Sequence, residues 1–115
     1  MRRAWVLTLA LVACTEEANP AEAVVCDADT PVETWASFGE SFLTTYCQGC
    51  HASTSLDRAG APPDVVFDTA EDAYAWRARI LARSGTNEPT MPPQGGTSEE
   101  DRERLRIWVT CFEGR

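Results

Sequence analysis

The chain has 115 residues, 18 acidic against 10 basic, a formal net charge of −8, no lysine and a single histidine. A polypeptide of this length holds one domain with little apolar core of its own. Its acidity argues against nucleic acid and against electrostatic adhesion to anionic lipid, and is read either as a docking preference for basic or neutral protein faces or as plain solubility of an exported protein.

Arg2 and Arg3 precede an uncharged run over residues 4–13, the basic start and short apolar core of an export signal, too short to span a bilayer as a helix. It ends in Leu11-Val12-Ala13-Cys14, which resembles the bacterial lipobox, so that 1–13 reads as a lipoprotein signal peptide and Cys14 as the acylated mature N-terminus. The alternative is an ordinary secretory peptide with a chance cysteine. On the lipobox reading the expected location is the bacterial cell envelope, with lipid on Cys14 holding the protein to the inner or the outer membrane facing the periplasm. Loss of Arg2 and Arg3 leaves 8 basic against 18 acidic residues, a net charge of −10. Residues 14–36 read as tether and N-terminal arm: small, acidic, interrupted by Pro20. Within them residues 27–36 stay unassigned between a short helical turn at Thr30-Pro31-Val32-Glu33 and a wrapping segment.

The domain is expected over residues 37–115, all-α, with about three main helices. Ser37-Phe38-Gly39-Glu40 has the form of a capping box, and Phe38, Phe42, Leu43 and Tyr46 recur at helical spacing behind it. Directly after this helix stands Cys47-Gln48-Gly49-Cys50-His51. Two thiols three residues apart with a histidine next to them read as a covalent haem c attachment site: the cysteines add to the vinyl groups as thioethers, and His51 is carried beneath the iron as its first axial ligand. The competing readings are zinc, which asks for four ligands, and a redox dithiol, which asks for a βαβ setting absent from this pattern. A second helix is expected from Asp68 or Thr69, with Glu71 and Asp72 in its first turn and Ala73, Trp76, Ile80 and Leu81 on its apolar face, stopping at Ser84-Gly85. A loop rich in Gly, Pro and Asn over residues 85–96 follows and carries Met91. A third helix starts at Thr97 or Ser98, with Glu100 or Asp101 three residues on, and carries Leu105, Trp108, Val109 and Phe112.

Ligand arithmetic narrows the site. His51 is the only histidine, so two imidazoles from this chain are excluded, and Met91 is the only methionine besides Met1. Met91 is therefore the expected sixth ligand, the competing reading being a gap-filling core methionine. A His/Met pair fills both axial positions and suits reversible electron transfer. Cysteine arithmetic runs the same way: with Cys14, Cys47 and Cys50 assigned, Cys26 and Cys111 remain as a disulfide pair in an oxidising compartment.

An attachment motif after the first helix, a Met-Pro loop and a closing helix, in that order, resemble the class I cytochromes c over about residues 37–112. Gly39 lies eight residues and Leu43 four before Cys47, where that family places a glycine and an apolar residue at the crossing of the N- and C-terminal helices; Leu105 and Trp108 resemble its aliphatic and aromatic contacts from the other side. The resemblance implies a cytochrome c-like fold around one haem, with a proline carbonyl, Pro62 or Pro63, accepting a hydrogen bond from His51 Nδ1, and Met91-Pro92-Pro93 holding the sulfur. The lysines that ring the haem edge of many relatives are missing, so partner identity does not transfer, and Arg77, Arg79 and Arg83 are the candidates for the propionates. Tyr46, Trp76 and Trp108 are read as pocket or core packing. The implied function is that of an electron carrier, not an enzyme, passing single electrons between redox protein partners. Two alternatives are a haem-based gas sensor and a haem module of a larger dehydrogenase assembly.

Overall fold

The computed structural model describes residues 23–112. The export signal, the lipobox cysteine Cys14, most of the tether and residues 113–115 lie outside them. The described chain is all-α: α1 over Glu40–Tyr46, α2 over Gln48–His51, α3 over Ala70–Ser84 and α4 over Glu99–Cys111, with a π-helical turn over Trp35–Gly39 leading into α1. Among the described residues no helix is long and apolar enough to cross a membrane.

The first helical segment begins earlier than its sequence pattern implies. Thr34, in extended geometry, is the N-cap: Ser37 N donates to Thr34 Oγ1 (3.0 Å) and Thr34 N to Ser37 Oγ (2.9 Å). The capping box is thus Thr34/Ser37, not Ser37/Glu40, a serine hydroxyl doing what a Glu or Gln does in the commoner form. Thr34 O accepts from both Phe38 N (3.0 Å) and Gly39 N (3.1 Å), which widens the first turn before α1 takes over. On α3 the reciprocal box is Thr69/Asp72, and on α4 the N-cap is Ser98, whose Oγ accepts from Asp101 N at 3.0 Å. Three acidic residues, Glu99, Glu100 and Asp101, occupy the first turn of α4, where the helix dipole favours them.

The core is built on Trp108, Leu43 and Leu105, all fully buried. Phe38, Phe42, Phe67, Ala73, Ile80, Val109 and Phe112 complete it, with Tyr46 and Trp76 half-buried against it. Trp108 stacks on Phe112 (centroids 5.2 Å apart) and meets the Phe38 ring edge-on at 6.2 Å. Its indole lies directly over Gly39: a Cβ on that glycine would fall within 2.6 Å of Trp108 Cε2 and closer still to Cζ2. Hydrogen is the only side chain that this approach admits. Tyr46 adds a polar tie between the same elements, donating to Asp101 Oδ2 at 3.0 Å.

The N-terminal arm is fastened to α4 at two points. Cys26 and Cys111 form the disulfide, with Cα atoms 5.6 Å apart and 85 residues of sequence separation. Arg104 grips Glu33 with two nitrogens (2.6 and 3.0 Å) while its guanidinium lies 4.5 Å above the Phe38 ring. At the other end Arg106 joins α4 to the end of α3 by donating to Gly85 O at 3.1 Å.

Two measurements follow. Gly39→Val should lower stability by about 2 to 3 kcal/mol through overpacking, a fall in melting temperature on the order of 10 °C; thermal unfolding followed by circular dichroism reads it, and an unchanged melting temperature removes the crossing from this account. Cys26→Ser with Cys111→Ser should cost about 4 kcal/mol from the length of the loop released, read as a lower denaturant midpoint together with a steeper slope, because the unfolded chain without the bridge is less compact.

Candidate functional site

Cys47 breaks the helix before it starts the next. Its φ of −123° leaves the α1 geometry, and the chain winds again at once into α2. Cys50 N (3.1 Å) and His51 N (2.8 Å) both donate to Cys47 O, so the two thiols and the imidazole sit within one turn, with Cys50 and His51 at i+3 and i+4 from Cys47. Positions so spaced share a helix face. Both cysteines are free thiols. Cys47 is half-buried against the core, and desolvation pushes its thiol up to about 12. A redox dithiol works through a thiol held below its ordinary value by positive charge or a helix N-terminus. The environment of Cys47 acts in the opposite direction.

Residues 65–68 return across this turn and pin it. Phe67 N donates to His51 O (2.8 Å), Gln48 Nε2 to Phe67 O (2.9 Å), and Ser53 N to the Asp68 carboxylate (3.0 and 3.2 Å). The His51 ring packs on the Phe67 ring with centroids 4.8 Å apart and planes 30° from parallel. Asp72 Oδ2, the capping carboxylate of α3, accepts from Asp68 N at 3.1 Å and so continues the chain of contacts into the second long helix.

His51 Nδ1 lies 3.1 Å from the carbonyl oxygen of Val65. A carbonyl only accepts, so this contact selects the tautomer with the proton on Nδ1 and leaves the Nε2 lone pair for a metal. The acceptor is Val65, not Pro62 or Pro63 as the resemblance implies. Pro62 O instead accepts from Val65 N at 3.1 Å, closing a turn in which Pro63 holds the position that its fixed φ favours. The prolines build the bend, and the bend delivers Val65 over the imidazole.

The loop between His51 and that bend is organised by a residue the sequence pattern did not single out. Half-buried Arg58 donates to four carbonyls: Ala52 O (2.8 Å), Pro62 O (2.8 Å), Val65 O (2.9 Å) and, at 3.4 Å, Ala61 O. Next to it Ala59 and Gly60 take positive φ values of 48° and 83°, which turn the chain sharply enough for one side chain to reach both limbs.

Met91 is carried on the α3–α4 loop and is half-buried. Its segment is moored to the last turn of α3, with Thr90 N (2.9 Å) and Met91 N (3.0 Å) sharing Arg83 O, and a turn closed by Gly95 N on Pro92 O (2.9 Å) follows. The structure thus gathers Cys47, Cys50 and His51 in one turn, while Met91 comes from a separate frame. Of the arginines considered for propionates, Arg77 is engaged with Tyr74, its guanidinium 3.9 Å above the ring and its Nη1 2.7 Å from the Tyr74 carbonyl, and Arg83 reaches Thr90 Oγ1 at 3.5 Å.

The donor set therefore fits a covalently held haem: two thiols outside any disulfide on one turn, and an imidazole whose Nδ1 proton is committed to a carbonyl so that Nε2 presents a lone pair. No protein-family model, curated protein or solved structure matches the chain.

In the haem-free chain with its disulfide intact, Cys47 should alkylate slowly at pH 8. Its folded-state value lies above the usual thiol value, so the thiolate is scarce until the pH nears about 12, and the rate should rise about tenfold per pH unit below that. Peptide mapping after iodoacetamide treatment over a pH series checks this, and rapid modification of Cys47 at neutral pH contradicts the environment described here.

Proposed function

We propose that this chain is a small monohaem cytochrome of the class I c type, an electron carrier of the bacterial envelope and not an enzyme. The observation that carries the reading is the single turn bearing Cys47, Cys50 and His51 with the His51 Nδ1 proton committed to a backbone carbonyl. In this reading Cys47 and Cys50 anchor haem c, His51 is the proximal ligand and Met91 the distal one.

Haem, when bound, supplies a ferrous/ferric couple. The chain's own residues do the rest. Val65 O fixes the ring plane of His51 and, by drawing on the Nδ1 proton, would strengthen the donation of Nε2 to a metal. Phe67 restrains the same ring by packing. The mooring of Met91 to Arg83 O limits the travel of the thioether, and a sulfur held in place leaves no coordination site for a substrate, which is what a carrier needs. The segment preceding Cys26 tethers the domain, with lipid on Cys14 holding it to the membrane, and the acidic surface favours redox proteins with basic or neutral docking faces.

Material matured in a host with a haem-attachment system should give the spectrum of a c-type pyridine haemochrome and a polypeptide mass raised by one haem. The bare polypeptide mass would sink the proposal. Met91→Ala should lower the midpoint potential by on the order of 100 mV and open the iron to carbon monoxide, whereas rapid stoichiometric carbon monoxide binding by the unsubstituted ferrous protein would make it a ligand sensor instead.

A further inference from the structure

We propose that Arg58 is a positioning residue that sets the donor strength of His51 through a carbonyl they share. The inference deepens the haem reading and rests on it.

Val65 O receives two donors: His51 Nδ1 at 3.1 Å and Arg58 Nη2 at 2.9 Å. A carbonyl oxygen has two lone pairs and can serve both, but they are not equal. The guanidinium is always charged, and hydrogen bonds from ionised donors are the stronger kind. It draws electron density from Val65 O and leaves that oxygen a weaker acceptor for the imidazole proton. The His51 ring then keeps its proton more tightly, has less anionic character and donates less to a metal at Nε2. Weaker donation favours the ferrous form. Arg58 thus opposes the effect of the His51–Val65 bond, and the pair sets the balance between them.

The geometry makes this more than a chance approach. The other three contacts of Arg58, to Ala52, Ala61 and Pro62, hold the guanidinium from both limbs of the loop, so its distance to Val65 O does not depend on a free side-chain rotamer. Ala52 is also the residue directly after His51. A planar fork with five donors can make all these bonds at once, and an ammonium cannot.

The test uses the matured full-length protein with Arg58→Met and Arg58→Lys. The readouts are the proton NMR resonance of His51 Nδ1–H in the diamagnetic ferrous state, the midpoint potential and the melting temperature. In Arg58→Met the resonance should move downfield as the His51–Val65 bond strengthens, and the ferric form should gain about tenfold, which is a fall of about 59 mV for a one-electron couple. Loss of the positive charge lowers the potential too, so the resonance decides the route. Arg58→Lys keeps a charge without the fork and should move the resonance in the same direction by less; it carries the test alone if the methionine variant does not fold. A lowered melting temperature with the resonance unmoved is what a mere brace of the loop would give, and it overturns the inference while leaving the haem reading standing. Unsubstituted protein that matures without covalent haem overturns both.

Discussion

The indole of Trp108 lying on the bare Cα of Gly39 fixes the position of nearly everything else. α4 can cross the first helical segment this closely only because one residue there has no side chain, and the indole then fills the space between Phe38, Phe112 and half-buried Trp35. Among the described residues Trp108 Nε1 is buried without a hydrogen-bond partner. The indole's contacts with Gly39 and Phe112 are what place it. Once the crossing is set, Tyr46 faces Asp101, α1 ends at a defined place, and Cys47 starts its turn from there.

From Cys47 onward the means of holding the chain changes. The helices are held by apolar burial; the turn bearing His51 is held by backbone and side-chain hydrogen bonds from residues 65–68 and from Arg58. Such an arrangement gives a ring a defined orientation without surrounding it with aliphatic side chains. It also couples the imidazole to the N-terminus of α3, since Asp68 bonds both Ser53 and the capping carboxylate of Asp72.

What could be read from the sequence was what side-chain type determines. The caps were legible to within one residue, Thr69 against Asp68 and Ser98 against Thr97, and the end of α3 at Gly85 and the Cys26–Cys111 pair follow from residue identity and count, whereas the glycine at the crossing was legible only through the family resemblance. The start of the first helix was not legible, because a serine at the third helical position is a weaker signal than Glu or Gln, and Ser37 with Glu40 matches the commoner form of the box. The acceptor for His51 could not be read at all: every residue has a carbonyl, and which one arrives depends on the bend made by Pro62 and Pro63. Arg58 was missed for a related reason. A lone arginine in a Gly- and Pro-rich loop looks like a solvated charge until the loop is closed around it.

The bridge between Cys26 and Cys111 has a mechanical meaning as well. Any tension applied through the segment preceding Cys26 enters the domain at a covalent bond to the last residue of α4, and the chain between those two cysteines, which contains all the helices described, forms a closed ring. Force arriving from that side therefore loads the whole body at one corner and does not peel the first helix from its neighbours. Under such a load the turn bearing Cys47, Cys50 and His51, which lies inside the ring, keeps its register with α4.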